Sequence, residues 1–143
     1  MTELSQPPDI SRLEIPVDPW TQPFWDATAR GELRLPRCAS CQIFRWPPGP
    51  FCPECQSQAV DWAAAGRALL YSFTIVRQRD LSDDGPGRLV IPGLVEFPDA
   101  GGIRIMAAIL ARAEAVAIGA RLVLGWTPHG DMKVPVFTLD REP

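Results

Sequence analysis

The sequence predicts a mainly β protein with a short helix near its amino terminus, a cysteine-rich segment and a small barrel. Three observations support this prediction: a proline-rich start, four cysteines in two close pairs, and five apolar segments after the cysteines. The chain has 143 residues, of which 46% are hydrophobic and 22% are charged, an ordinary composition for a globular protein. A chain of this length suffices for one compact hydrophobic core.

The amino-terminal region divides into an extended arm and a helix. Residues 1–19 contain four prolines, which fix φ and remove backbone donors, so we expect an extended arm there. A helix is predicted over 21–30, because Thr21 can cap its start, Pro23 fits the first turn and Gly31 can end it in the left-handed conformation.

Three large aromatic residues lie at this helix, namely Trp20, Phe24 and Trp25. Two roles remain open for them. They either cover the core of the protein itself or stay exposed as a docking surface for a partner, because interface cores are rich in such side chains.

The four cysteines form two C-x-x-C pairs, Cys38 with Cys41 and Cys52 with Cys55. Two intervening residues make a tight turn that directs both thiolates at one centre, and a tetrahedron of four thiolates suits zinc. We predict one structural zinc ion per chain, because four protein ligands leave no position for water or substrate. A redox dithiol and an iron site are the alternatives.

The backbone around the cysteines can also be predicted. A short strand over 33–36 leads into the cysteine segment, which covers 37–60. Gln42 and Gln56 directly follow the two pairs, where a left-handed backbone is common and glycine is the usual residue. A non-glycine residue costs about 1 kcal/mol there, which is small beside the stabilisation that structural zinc provides.

Five strands are predicted after the cysteines, because apolar residues alternate there with a period of two and turn-forming clusters separate the segments. The segments are 69–75, 89–97, 103–111, 122–126 and 134–139. A helix over 103–117 is the rival, since its apolar residues also fit helical spacing. Strands at these spacings suit a small closed or nearly closed barrel. We therefore divide the chain into an arm (1–19), a helix with a ribbon (20–60) and a barrel (61–143).

Charge disfavours a nucleic-acid-binding protein, and hydropathy disfavours a membrane-spanning or secreted one. The net charge is −3, and Lys133 is the single lysine, whereas nucleic-acid binders concentrate positive charge. Charged residues interrupt the most apolar stretch, and the amino terminus lacks the features of a signal peptide. We expect a cytoplasmic protein without a membrane span, in which paired cysteines bind a metal in preference to forming disulfides.

No residue stands out as a catalytic nucleophile or base, so we predict no catalytic residues. Every cysteine belongs to a pair, which leaves no spare thiol. His129 is the one histidine, and it lies in a predicted surface turn over 128–131. Asp83 and Asp84 could form a carboxylate pair, but we expect them to solvate a flexible loop.

The order of several short motifs resembles the zinc-ribbon plus OB-fold proteins of domain-of-unknown-function family 35. Besides the cysteine pairs, the motifs are Pro23-Phe24-Trp25, Pro47-Pro48, Tyr71-Ser72-Phe73-Thr74, Pro92-Gly93-Leu94-Val95, Ile118-Gly119 and Pro135-Val136-Phe137. The resemblance covers roughly residues 20–139. It implies a rubredoxin-like zinc ribbon followed by a five-stranded OB-fold barrel.

The resemblance also implies a function, which is that of a non-catalytic accessory subunit in acyl-CoA metabolism. The implied partner is a thiolase-fold enzyme such as a thiolase or a lipid-transfer-type aldolase, or a related acyl-CoA enzyme. We expect Trp20, Phe24 and Trp25 to bind this partner.

Three arginines are candidates for binding the phosphates of CoA, namely Arg77, Arg79 and Arg88, because the guanidinium fork matches phosphate geometry. An ordinary solvated loop is their alternative. Single-stranded nucleic-acid binding is the alternative function, since zinc ribbons and OB barrels occur in such proteins. The acidic residues Asp80, Asp83 and Asp84 among these arginines disfavour it.

Overall fold

The structure, a computed structural model, describes residues 3–79 and 84–141. Asp80 and Asp83 therefore lie outside the described residues. The elements are α1 (Gln22–Ala29), β1 (Arg34–Cys38), β2 (Val60–Ala64), β3 (Ala68–Phe73), β4 (Val76–Gln78), β5 (Arg88–Val90), β6 (Pro92–Phe97), β7 (Ile103–Leu110), β8 (Arg121–His129) and β9 (Met132–Leu139), with 3-10 turns at Pro98–Ala100 and Ala113–Ala115. Within the described ranges, no helix has the length and apolar character needed to cross a membrane.

Five of the strands close into a barrel in the order β3-β6-β7-β9-β8. Its strands pair antiparallel, except that β7 runs parallel to β9. The alternation of apolar residues directs Leu70, Val95, Ile109 and Phe137 into the barrel, where each is at most 1% exposed. The prediction of a mainly β chain with one helix, a ribbon and a five-stranded barrel is confirmed, and β7 shows that 103–110 forms a strand and not the rival helix.

Other boundaries differ from the prediction. The segment 89–97 is two strands, because β5 pairs with β4 outside the barrel and β6 pairs with β3 inside it. Pro92 has no N–H to continue the first ladder, so the chain changes partner at Ile91. The predicted four-residue turn over 128–131 is shorter, because β8 continues through His129 and pairs it with Met132.

The carboxyl end of α1 is as predicted, whereas its start is not. Gly31 has φ +76, and the N–H groups of Gly31 and Glu32 donate to Thr28 and Ala27 at 2.9 Å each, which is a Schellman motif. Thr21, predicted to cap the start, makes no side-chain capping bond, because its backbone is already helical. The carboxylate of Asp18 instead accepts the N–H of Thr21 at 2.9 Å.

The arm lies along the barrel and is hydrogen-bonded to it. Ser5 is 2% exposed; its N–H donates to Ala111 O at 2.9 Å and its hydroxyl to Ile109 O at 2.7 Å. Further along, the side-chain amide of Gln78 bonds to both the N–H and the carbonyl of Asp9, at 2.6 and 2.9 Å. These bonds hold the extended arm in a fixed course.

We expect Gly93→Ala to destabilise the barrel. A Cβ at Gly93 would lie 2.7 Å from Ile109 Cγ1 and 3.0 Å from Leu70 Cδ1, and both neighbours are buried and cannot move outward. Such overpacking costs about 1–3 kcal/mol and lowers the melting temperature. Gly125→Ala in β8 is the matched control, because its Cβ would meet Val136 at an ordinary 3.6 Å. Equal melting temperatures for the two variants would contradict this account of the barrel packing.

Candidate metal centre and ligand groove

The four cysteine sulfurs converge on one point between the two turns. The Sγ atoms of Cys38 and Cys55 are 3.5 Å apart, those of Cys41 and Cys52 are 3.6 Å apart, and all four lie within 4.8 Å of one another. Zinc bound tetrahedrally at about 2.3 Å from each sulfur needs sulfurs about 3.8 Å apart. The donor set and its spacing therefore fit a structural zinc ion.

The backbone of each turn adopts the conformation that brings its two thiols together. Gln42 and Gln56 have φ of 68° and 61°, so both are left-handed as predicted. Their N–H groups donate to the carbonyls of Cys38 and Cys52 at 2.9 Å, which closes each turn. The N–H of Ser40 also lies 3.4 Å from Cys38 Sγ, in position to donate to a thiolate.

The thiols differ in acidity because their surroundings differ. Hydrogen bonds from the backbone of Cys41 and Ser40 lower the pKa of Cys38 to about 6. At Cys41 the Ile43 amide lowers the pKa, but burial and the neighbouring thiols outweigh it and raise the pKa to about 12. Four thiolates need a cation among them, so zinc binding releases protons here and weakens as the pH falls.

The three aromatic residues at α1 have different surroundings. Phe24 is 5% exposed and packs edge-on against Trp25 and Trp46, with ring centroids 4.9 and 5.4 Å away. Trp25 is partly buried on the same core, whereas Trp20 is 47% exposed. Phe24 therefore covers the core of the protein itself, and Trp20 remains on the surface. Trp46, the ribbon residue that completes this cluster, was not identified from the sequence.

The three candidate arginines lie on or next to the β4–β5 hairpin. Arg77 forms an ion pair with Glu3 at 3.0 Å, and this hydrogen bond lowers the pKa of the Glu3 carboxyl. Arg88 donates from Nη1 to the carbonyl of Pro7 at 2.8 Å. Arg79 is exposed, and no residue within 3–79 or 84–141 accepts a hydrogen bond from its guanidinium. Arg88 pairs with Gln78 across the hairpin, so its side chain and that of Arg77 lie on opposite faces, and both of these arginines hold the arm.

A groove of about 1490 Å³, which we call the ligand groove, separates the arm from the outer side of the barrel. Its walls are largely apolar and include Ile10, Leu13, Trp25, Val90, Met106 and Val134. Arg88 and Gln78 lie among its polar residues. The sequence did not indicate this groove, because its two walls are about a hundred residues apart and only the bonded course of the arm brings them together.

His129 also lies at this groove. It is half-buried at the end of β8, and its Nε2 donates to the carbonyl of Leu13 at 2.8 Å. This bond uses the ring nitrogen to fix the arm. Among the described residues no carboxylate is bonded to the imidazole.

The cysteine cluster and the barrel order together define a zinc-ribbon protein with an OB-fold barrel. Family models agree: one for the ChsH2 rubredoxin-like zinc ribbon domain matches residues 25–61, and one for the ChsH2 C-terminal OB-fold domain matches residues 62–127. The chain belongs to the ChsH2-type proteins of domain-of-unknown-function family 35, as the sequence motifs predicted.

Known proteins extend this comparison. The chain is 32% identical over 120 residues to a probable enoyl-CoA hydratase alpha subunit of Thermomonospora curvata. The matched region is 80% of this chain but only 36% of that protein. A solved Ltp2-ChsH2(DUF35) aldolase chain superposes with a TM-score of 0.77 and 26% identity, over 88% of this chain and 98% of that one. A family member of unknown function from Sulfolobus solfataricus shows the same fold. Its TM-score is 0.62 and its identity is 18%, over 87% of this chain and 85% of that one.

We expect elemental analysis of the purified, reduced chain to find one zinc ion per chain. Cys38→Ser should lose the metal and unfold the ribbon, because a hydroxyl does not replace the thiolate ligand. Ser40→Ala is the matched control, since it removes only a hydroxyl that bonds to Ser57 at 2.9 Å beside the site. Wild-type protein that is stably folded and contains almost no zinc would refute the prediction.

Proposed function

We propose that this chain is a non-catalytic, zinc-containing accessory subunit of a complex that processes acyl-CoA in the cytoplasm. Its partner in this proposal is a thiolase-fold enzyme, either a thiolase or a lipid-transfer-type aldolase. The observation that carries the proposal is the similarity to the Ltp2-ChsH2(DUF35) aldolase chain over 98% of that chain. The relative named as an enoyl-CoA hydratase subunit also supports an acyl-CoA substrate.

The residues of the chain support a non-catalytic role. The four sulfurs form a closed ligand set, so none is left to act as a nucleophile once zinc is bound. His129 uses its Nε2 to hold the arm. The contribution of the chain to catalysis would then be to shape and cover a site whose reacting groups belong to the partner.

Trp20 is the strongest candidate for contact with the partner. It is 47% exposed beside the rigid ribbon, and a large aromatic presented in this way loses little entropy when a partner covers it. Phe24 is buried, so its part in docking would be to support Trp25 and α1 from beneath. Trp25 itself faces the ligand groove.

The ligand groove is the place where we propose that CoA lies. Its apolar walls suit the acyl and pantetheine parts of the ligand. Arg88 lies in the groove, and Arg79 directly follows Gln78, which also lines it. Within the described residues, the Arg79 guanidinium is bonded to no other group that would compete with a phosphate. Arg77 is tied to Glu3, so its role would be to hold the arm.

Two observations weigh against the alternative of single-stranded nucleic-acid binding. OB folds bind such ligands across their second and third strands, which here are β6 and β7. The arm lies over this side and places the acidic Asp9 and Glu14 in the groove. A single strand, with a phosphate at every nucleotide, would meet these carboxylates along its course, whereas CoA brings its phosphates only to Arg79 and Arg88; the overall charge of −3 adds to the repulsion.

The isolated, zinc-loaded chain should show no turnover with acyl-CoA substrates, whereas the chain coexpressed with its thiolase-fold partner should be active. Trp20→Ala should weaken the complex about thirtyfold, as expected when an interface anchor worth about 2 kcal/mol is lost. Tyr71→Ala on the barrel is the matched control, because Tyr71 is 45% exposed. Substantial turnover by the chain alone would contradict the accessory role.

We expect Arg79→Gln to weaken CoA binding to the complex about tenfold, because a charge-assisted hydrogen bond to phosphate is lost. Calorimetric titration with CoA measures this, and pantetheine, which lacks the phosphates, should bind the variant and wild type equally. Arg67→Gln is the control, since Arg67 is exposed and lies outside the groove, bonded to Asp99. Unchanged CoA affinity of Arg79→Gln would exclude Arg79 from the site.

A further inference from the structure

A second hollow, which we call the ribbon pocket, lies between the start of α1 and the ribbon. Its volume is about 310 Å³, at the lower end of the range for ligand sites, so it has room for one or two side chains. The residues that define it are Trp20, Pro23, Pro36, Arg45, Pro48 and Trp62. The pocket is separate from both the cysteine cluster and the ligand groove.

Arg45 is a buried cation that has no anionic partner among the residues the structure describes. Its side chain is 6% exposed, and one of its nitrogens, Nη2, donates to the carbonyl of Gly49 at 3.1 Å. Within 3–79 and 84–141, its Nε and Nη1 atoms have no hydrogen-bond partner, and neither has the indole nitrogen of Trp62. None of the residues that line the pocket is acidic. A buried charge of this kind is costly unless an opposite charge pairs with it.

The sheet beside the pocket is open on one side. β1 and β2 form a two-stranded sheet, so β2 has an edge that no strand within the described ranges covers. Val60 and Trp62 of β2 both line the pocket. An uncovered edge of this kind pairs with an extended chain, and pockets next to the edge then receive its side chains.

We propose that the ribbon pocket binds the carboxylate of a Glu or Asp side chain on an extended segment of a partner protein. The carboxylate accepts hydrogen bonds from the Arg45 guanidinium, which neutralises the buried charge. Trp20 and the pocket prolines pack against the rest of the segment. Trp20 also belongs to the proposed docking surface, so the pocket is continuous with it. The inference rests on the proposed function only for the identity of the partner.

The test uses the full, zinc-loaded, ¹⁵N-labelled chain and two peptide probes, acetyl-Val-Glu-Val-amide and acetyl-Val-Gln-Val-amide, which keep the backbone N–H groups that pair with a strand edge. We expect the Glu peptide to shift the indole N–H resonance of Trp62 with a dissociation constant in the millimolar range, and the Gln peptide to bind about tenfold more weakly. Acetate is titrated separately to distinguish a free carboxylate from one on a peptide. No partner enzyme is present, so failure here is distinct from failure of the proposed function.

Arg45→Met separates recognition from folding. Replacing an unpaired buried charge by an apolar side chain of similar length should leave the zinc content and melting temperature near wild type, while the preference for the Glu peptide disappears. Arg45→Lys should retain part of the preference. The proposal is overturned if both peptides shift Trp62 equally, if neither shifts it, if acetate binds as well as the Glu peptide, or if Arg45→Met keeps the preference.

Discussion

The convergence of four cysteine sulfurs is the constraint on which the rest of the structure depends. The segment between β1 and β2 has few buried apolar residues, and Ile43 and Phe51 beside the cysteines are exposed. Packing alone therefore holds it weakly, whereas a structural zinc ion contributes about 10–16 kcal/mol. The segment also supplies Trp46, which packs on Phe24 and so joins the ribbon to α1. Through α1, which packs on β1 and β9, the metal centre supports the barrel as well.

The arm is the second constraint, because it forms one wall of the groove beside the barrel. Its bonds to Gln78, Arg88 and His129 fix one wall of the ligand groove. His129 is a candidate base and Arg88 a candidate phosphate ligand by sequence, and each uses a side-chain nitrogen to hold the arm. The arm also places acidic side chains where an OB fold would accept a nucleic acid. The arm thus supplies apolar residues to one wall of the groove and, at other positions, acidic residues that disfavour a nucleic acid.

The parts of the fold set by local signals were predictable, whereas those set by distant contacts were not. Alternation placed the barrel strands, and the C-x-x-C spacing placed the sulfurs and the left-handed Gln42 and Gln56. β2 is short and offers little pattern, since it contains Trp62 between Asp61 and two alanines, and its pairing with β1 is what identifies it as a strand. Phe24 packs against Trp46 of the ribbon, and Arg45 lies in the hollow between the ribbon and the start of α1, so no local pattern links either residue to its surroundings.

The central claim is that the chain functions within a complex with an acyl-CoA enzyme. Native mass spectrometry of the tagged chain, purified from the cells in which it naturally occurs, tests this claim most directly. The account predicts a stoichiometric assembly of the zinc-loaded chain with a thiolase-fold subunit, and added CoA should increase the mass of this assembly. A chain that is recovered alone, or that carries single-stranded nucleic acid in place of such a subunit, would contradict the account.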